Sequence, residues 1–269
     1  MPSAAADKEA EERRSPSGRV VYEAVLKEGD EELERPSSAL FWSGLAAGLS
    51  MALSMFAEAL LRTALPDAEW TPLITKLGYS VGFVVVILGR QQLFTENTLT
   101  PMLPLFQNKD AKTLGNVMRL WAIVLTANLI GALAIAYVSA RTGVFDASMQ
   151  QAFAEIGEEA LATDAGTVML RAIFAGWLIA LIVWLLPFAE SARLAVIVIL
   201  TYLIGLGHFS HVIAGAVVVF TGSWSGQVPW ADGVLGYIAP ALVGNIIGGV
   251  ALVAALNHAQ VVAGSESDD

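Results

Sequence analysis

The chain has 269 residues, of which 55% are hydrophobic and only 15% charged, with a mean hydropathy of +0.62. Soluble domains carry roughly 25% charged residues, and the long apolar runs here match a membrane crossing of about 20 residues. There is no cysteine, which excludes disulfides, thiol catalysis and thiolate-bound metals. The formal net charge of −10 comes with no basic patch, which excludes nucleic acid as a partner. The pattern predicts an all-α, polytopic membrane protein whose solvent is the lipid bilayer, since a β-barrel would show short alternating segments.

Residues 1–36 hold ten of the 25 acids and six of the 15 bases and read as a polar cytoplasmic tail. Val20, Val21, Ala24 and Val25 allow a short surface helix there, but a solvated tail is the expectation. MPSAAADKEAEERRSPSG has no apolar core after its charges, so no cleavable signal peptide is expected. The membrane domain is placed at 37–258, and 259–269, ending in SESDD, reads as a disordered tail.

The first span, Ser38–Leu61, is rich in small residues, and Gly44 with Gly48 forms a pair that lets another backbone approach closely. Glu58 falls at headgroup level. The second span starts near Leu73 and meets RQQLFTENTLTP, in which eight of twelve residues are polar. That stretch is expected at membrane depth, in a broken helix. The third span is Leu114–Ser139, followed by an acidic loop or short helix over Arg141–Gly166. The fourth span, Thr167–Leu186, closes at Pro187. The fifth, Leu194–Phe220, is broken by GLGHFSHVIAGAVVVF, and the sixth is Val234–Leu256. Six spans put both termini on one side. With those termini, Gln107–Thr113 and Glu190–Arg193 in the cytoplasm, that side holds nine Lys and Arg against four outside, in line with the positive-inside rule.

The halves of the chain resemble each other. LGRQQLFTENTLTP parallels IGLGHFSHVIAGAV, which pairs Phe94 with Phe209, Thr95 with Ser210 and Glu96 with His211. TANLIGALAIA parallels VGNIIGGVALVA, which pairs Asn128 with Asn245. Three spans per repeat give the halves opposite orientations, and inverted repeats with broken helices mark permeation and transport cores. Polar groups in such breaks are costly unless they line a cavity or are buried in protein. His208, His211, Arg90 and Glu96 are therefore the candidates for function. Arg90 and Glu96 share one break with opposite charges and read as an ion pair holding the loop, with anion attraction by Arg90 as the alternative. His208 either lines the pore or bonds a backbone carbonyl, and the second is expected. His258 reads as a surface residue. Asn128 and Asn245 are expected to bond between helices. Two histidines and Glu96 lack any metal-site spacing, so no metal is expected. An intramembrane enzyme built on His208, His211 and Glu96 would need a motif such as HExxH or GxSxG, which is absent.

LFTENTLTPMLPL after the second span and FSHVIAG in the fifth resemble the formate/nitrite transporter family, most of all an inner-membrane branch with an RQQLFTENT loop. The resemblance covers about residues 37–258. It implies an aquaporin-like fold of six transmembrane helices in two inverted three-helix repeats, with the second and fifth helices broken. It also implies a homopentamer in the inner (plasma) membrane, each protomer passing small monovalent anions such as formate, nitrite or hydrosulfide, with no cofactor. The family's central histidine falls on His211 and its pore-loop threonine on Thr95. Its constriction falls near Leu93, with Phe94 beside it, and near Phe83 and Ile204. The chain departs from the family at its vestibule lysine, where Asp164 stands, and at its fourth-span asparagine, where an apolar run surrounds Ala180. A pore for small neutral solutes, or a membrane protein with the family fold and a non-transport role, remains the alternative reading.

Overall fold

The structure, a computed structural model, describes residues 16–265. The expectations for the first fifteen residues and for the last four lie outside the described residues. Several helices open on a side-chain cap. Helix α1 (Gly18–Glu34) begins where the Val20 N–H donates to the Ser17 hydroxyl, 3.4 Å away, and it stops before Pro36, which has no N–H to donate. Its face Tyr22, Val25, Gly29 and Leu33 is buried, a helical period that packs it under the membrane bundle. The solvated tail expected here is therefore corrected over residues 18–34. The reason is apolar side chains spaced at three and four residues, together with two glutamates that find partners on the bundle, described below.

The crossings are α2 (Ser37–Ala64), α3 (Thr71–Leu88), α5 (Ala111–Arg141), α7 (Ala165–Phe188) and α10 (Trp230–Val261). A short α4 (Met102–Asn108) follows the break after α3. The fifth crossing is shared by α8 (Arg193–Leu206) and α9 (Val212–Ser225), 14 residues each. At 1.5 Å per residue each reaches about 21 Å, short of a hydrocarbon core of about 30 Å. Helix α10 contains π-helical turns at Val234–Ile238 and Gly248–Ala255. It runs on without a stop through Ser265, which corrects the disordered tail expected from residue 259 as far as the described residues go. The acidic segment after α5 is a helix, α6 (Ala147–Leu161). Phe153 on α6 and Phe145 just before it pack on Phe56 of α2.

The chain forms two inverted three-helix repeats. The first pairs α2 with α5, and the second pairs α7 with α10. Within each pair a glycine allows backbone contact: a Cβ at Gly48 would enter the backbone of Asn128, and one at Gly176 would enter that of Asn245. Without a hydrophobic force between helices in lipid, such close contact is what holds them together. The Tyr22 hydroxyl and His258 Nδ1 lie 2.7 Å apart, so α1 and the end of α10 sit on one side. His258 is thus a packing partner of α1 and not the free surface residue expected.

Replacing Gly176 by leucine should lower the apparent melting temperature of the purified protein by about 5 °C or more, since overpacking costs roughly 1–3 kcal/mol or above. Gly157→Ala on α6, where a Cβ meets nothing within 4 Å, should shift it by less than about 2 °C. Equal behaviour of the two variants would contradict the packing described.

Candidate functional site

The two breaks end their helices in the same way. At the end of α3 the Arg90 N–H reaches Ile87 O at 3.2 Å and the Gln91 N–H reaches Val86 O at 3.0 Å. At the end of α8 the His208 N–H reaches Gly205 O at 3.2 Å and the Phe209 N–H reaches Ile204 O at 3.0 Å. Arg90 and His208 both adopt the left-handed conformation, with φ of 53° and 49°, the usual cap for a helix C-terminus but one that glycine fills more cheaply.

Beyond each cap the chain runs without a helical ladder, and one asparagine supplies the missing partners. Asn128 accepts from the Phe94 N–H at 2.9 Å and donates to Gly44 O at 2.7 Å and Gln92 O at 2.9 Å. Asn245 accepts from the Val212 N–H at 2.9 Å and donates to Ala172 O at 2.8 Å and Ser210 O at 2.9 Å. The two networks are equivalent bond for bond, which fixes the repeat. Phe94 corresponds to Val212 and Gln92 to Ser210, so Leu93 stands opposite His211. The pairing of Phe94 with Phe209 expected from sequence is therefore three residues out of register, because it followed shared aromatic character instead of backbone role. The pairing of Asn128 with Asn245, and their interhelical role, hold.

His211 is fully buried. It caps α9: the Ala214 N–H donates to its Nδ1 at 3.2 Å. A backbone N–H only donates, so Nδ1 is the lone-pair nitrogen and the neutral ring carries its proton on Nε2. Nε2 lies 2.8 Å from Thr95 Oγ1, so the ring donates across the repeat to the threonine hydroxyl. Phe83 stands edge-on to the imidazole, with ring centroids 4.9 Å apart. Leu93, Phe83 and Ile204 are all buried. Phe94 is directed elsewhere, against Trp121 of α5 at 5.7 Å, and takes no part in the His211 cluster.

A mouth lies at each end of this centre. Helices α3 and α7 begin at one and finish at the other. The first mouth, about 670 Å³, is lined by α1 together with Arg90, Gln91, Gln92, Glu96, Thr100 and Arg193. Arg90 pairs with Glu28 of α1 at 2.6 Å. The ion pair expected between Arg90 and Glu96 is therefore not formed, because α1 brings a closer carboxylate. Glu32 of α1 accepts from the Thr100 hydroxyl at 2.5 Å and from Gln92 Nε2 at 3.1 Å. Burial lifts the Glu32 carboxyl above its ordinary range against the pull of these two bonds. Glu96 Oε1 is buried with no hydrogen-bond partner among the described residues.

The second mouth, about 70 Å³, is lined among others by Glu58, Lys76, Glu159, Arg171, His208 and Tyr237. Glu58 receives both Arg62 and Lys76 at 2.7 Å, and Glu159 receives Arg62 at 2.7 Å and Lys76 at 3.1 Å. Glu58 is thus buried in a four-charge network near the far end of α2. His208 is exposed in this mouth, with no backbone bond from its ring among the described residues. Asp164 caps α7, accepting from the N–H groups of Gly166 and Thr167. Lys76 and Arg171 escaped the sequence reading, although a charge inside an apolar span is itself the signal.

Six crossing segments in two inverted repeats, with a broken helix in each half, are the aquaporin-like class of membrane protein. Residues 19–259 match the family model described as Formate/nitrite transporter, and the chain belongs to that family. It is 37% identical over 254 residues to the inner membrane protein YfdC of Escherichia coli strain K12, covering 94% of this chain and 82% of that protein. It is 25% identical over 242 residues to the formate channel BtFdhC of Bacillus thuringiensis, covering 87% and 91%. It is similar in fold to a solved pentameric formate channel with formate bound, with a TM-score of 0.70 at 17% identity, covering 84% of this chain and 98% of that one.

Burial raises the Glu159 carboxyl, but the Arg62 hydrogen bond, the Lys76 and Arg62 charges and the Lys76 hydrogen bond outweigh it and hold the group at about 2 against an ordinary 4.5. A depressed carboxyl favours the folded state above its unfolded value and loses that contribution as pH falls through its folded value. Thermal stability in detergent should therefore fall between pH 4.5 and about 2, and the fall should be smaller in Glu159→Gln. An identical pH profile in that variant would contradict the network.

Proposed function

We propose that the chain is a transmembrane channel for small monovalent anions or their weak acids, of the formate, nitrite and hydrosulfide class, with His211 assisting passage at the centre. The observation that carries this reading is the 2.8 Å contact between His211 and Thr95. It joins the two broken segments in a buried centre that has a mouth on either side. Family membership and the formate channels among the similar proteins support the substrate class. The pentameric formate channel of like fold supports a homopentamer with one pore per protomer. The relative named as an inner membrane protein, and the excess of Lys and Arg on the α1 side, support an inner-membrane location with cytoplasmic termini.

A bare anion at the bilayer centre is very costly, whereas a neutral weak acid is not. His211 is tied as a neutral ring, because a proton on Nδ1 would break the bond that caps α9. The centre therefore offers hydrogen bonds and no fixed charge. Nε2–H donates to Thr95 Oγ1, which leaves the threonine hydrogen free to donate to a passing oxygen. Phe83, Leu93 and Ile204 form the apolar walls that exclude hydrated ions. The anion enters a mouth, takes a proton from the water there, crosses as the acid, and returns the proton to water at the far mouth. The chain carries out no covalent chemistry in this scheme.

His211→Asn tests the role, because asparagine is among the best helix caps and keeps α9 in place while removing the ring donor. Formate flux into proteoliposomes should drop about tenfold or more in this variant, with its oligomer intact. Unchanged flux at every pH would overturn the role of His211. No flux of formate, nitrite or hydrosulfide through the wild type would overturn the channel reading and favour a pore for neutral solutes or another use of the fold.

A further inference from the structure

Glu96 stands one residue beyond the centre. It follows Thr95, whose hydroxyl meets His211, and opens the short 3₁₀ turn Glu96–Thr98. Its side chain lines the α1-side mouth, about 670 Å³ in volume. Oε1 is buried and has no hydrogen-bond partner among the described residues. An ionised carboxylate with an oxygen so placed is costly, whereas a protonated one carries a donor of its own. Gln91 Oε1, in the same mouth, is also buried without a donor.

No neighbouring charge is paired with Glu96. From α1, Glu28 takes Arg90 at 2.6 Å, Lys27 sits 4.0 Å from Glu31, and Glu32 accepts from Thr100 and Gln92. Arg35 and Arg193 complete the wall, and neither forms an ion pair with Glu96 among the described residues. The scaffold does not need the carboxyl either. In the register that pairs Phe94 with Val212, the equivalent of Glu96 is Ala214. The second break closes on its asparagine in the same way with a methyl group at that position, so a purely structural role has no bond to rest on.

We propose that Glu96 is the proton donor of this mouth, passing its proton, directly or through one water, to the anion that reaches Thr95. This rests on the channel reading above. The O–H bond of the carboxyl breaks as a bond to hydrogen forms on the anion. The carboxylate left behind takes a proton from the water of the mouth, and no electrons are exchanged. An acid leaving through this mouth runs the steps backwards, so the group serves both directions of flux. Where protons are plentiful, water delivers them unaided. At neutral and higher pH they are scarce, and a positioned general acid then contributes roughly 10²–10⁴-fold.

The test is formate flux into proteoliposomes with equal pH on both sides, followed from about pH 5 to about pH 8. Glu96→Gln, with its oligomer intact, should lower flux about tenfold or more at the upper end, and the loss should shrink steadily as pH falls. Glu96→Asp, which keeps a carboxyl, should stay several-fold above Glu96→Gln at the upper end. Flux lowered by one factor at every pH, flux unchanged throughout, or Glu96→Asp no better than Glu96→Gln would overturn the proton donor and leave the channel reading standing. If the wild type carries no formate, the channel reading fails, and infrared difference spectra decide this inference separately. A protonated-carboxyl band at neutral pH that shifts in heavy water and is lost in Glu96→Gln supports a proton-exchanging acid in this mouth. A carboxyl band indifferent to Glu96→Gln overturns it.

Discussion

Polar backbone inside a membrane must find its partners within the protein, and two asparagines carry that constraint here. Breaking a helix at membrane depth frees N–H and C=O groups that would each cost several kcal/mol unpaired. Asn128 and Asn245 each bind two such groups, an N–H as acceptor and a C=O as donor. Each also ties the break to the first helix of its own repeat, at Gly44 and Ala172. A break tied in this way to two other helices is a fixed piece of structure, which is why His211 can be brought within 2.8 Å of Thr95 from the other half of the chain. The glycines at 48 and 176 serve the same end, letting the asparagine backbones come close enough.

Symmetry explains the scaffold, and its breaking carries the chemistry. Leu93 and His211 occupy matching positions, so the centre has one apolar and one hydrogen-bonding wall. Arg171 occupies the position equivalent to Ser43, because Asn245 and Asn128 hold the carbonyls of the residues that follow them, and Glu96 occupies the position equivalent to Ala214. Helix α1 belongs to neither repeat. It adds Glu28 and Glu32 to one mouth only, and so neutralises Arg90.

Much of this is legible in the sequence. The apolar runs mark the crossings, and their interruption at RQQLFTENT and GLGHFSH marks the breaks, because polar residues at that depth persist only where they line a cavity or are buried in protein. Asn128 and Asn245 stand out as lone amides among small residues. The register of the repeat is hidden because Phe94 and Phe209 look alike, while the backbone pairs Phe94 with Val212. The partner of Arg90 is hidden because no linear argument tells which carboxylate lies nearer when α1 folds back over the loop. Helix α1 itself looks solvated because Glu28 and Glu32 read as surface charge, although Tyr22, Val25, Gly29 and Leu33 carry a helical period. Lys76 and Arg171 are visible as charges within spans. The partners of Lys76 are not, because Glu58 and Glu159 come from two other helices.

The central claim is that the substrate crosses as a neutral acid past an uncharged histidine. The direct measurement is formate entry into proteoliposomes with the lumenal pH and the membrane potential read together. The account predicts one proton carried in with each formate, and an initial rate that does not change when the potential is stepped with a potassium ionophore. Formate entry that carries net current, follows the imposed potential and leaves the lumenal pH unchanged would contradict it, and would mean that the centre stabilises the bare anion.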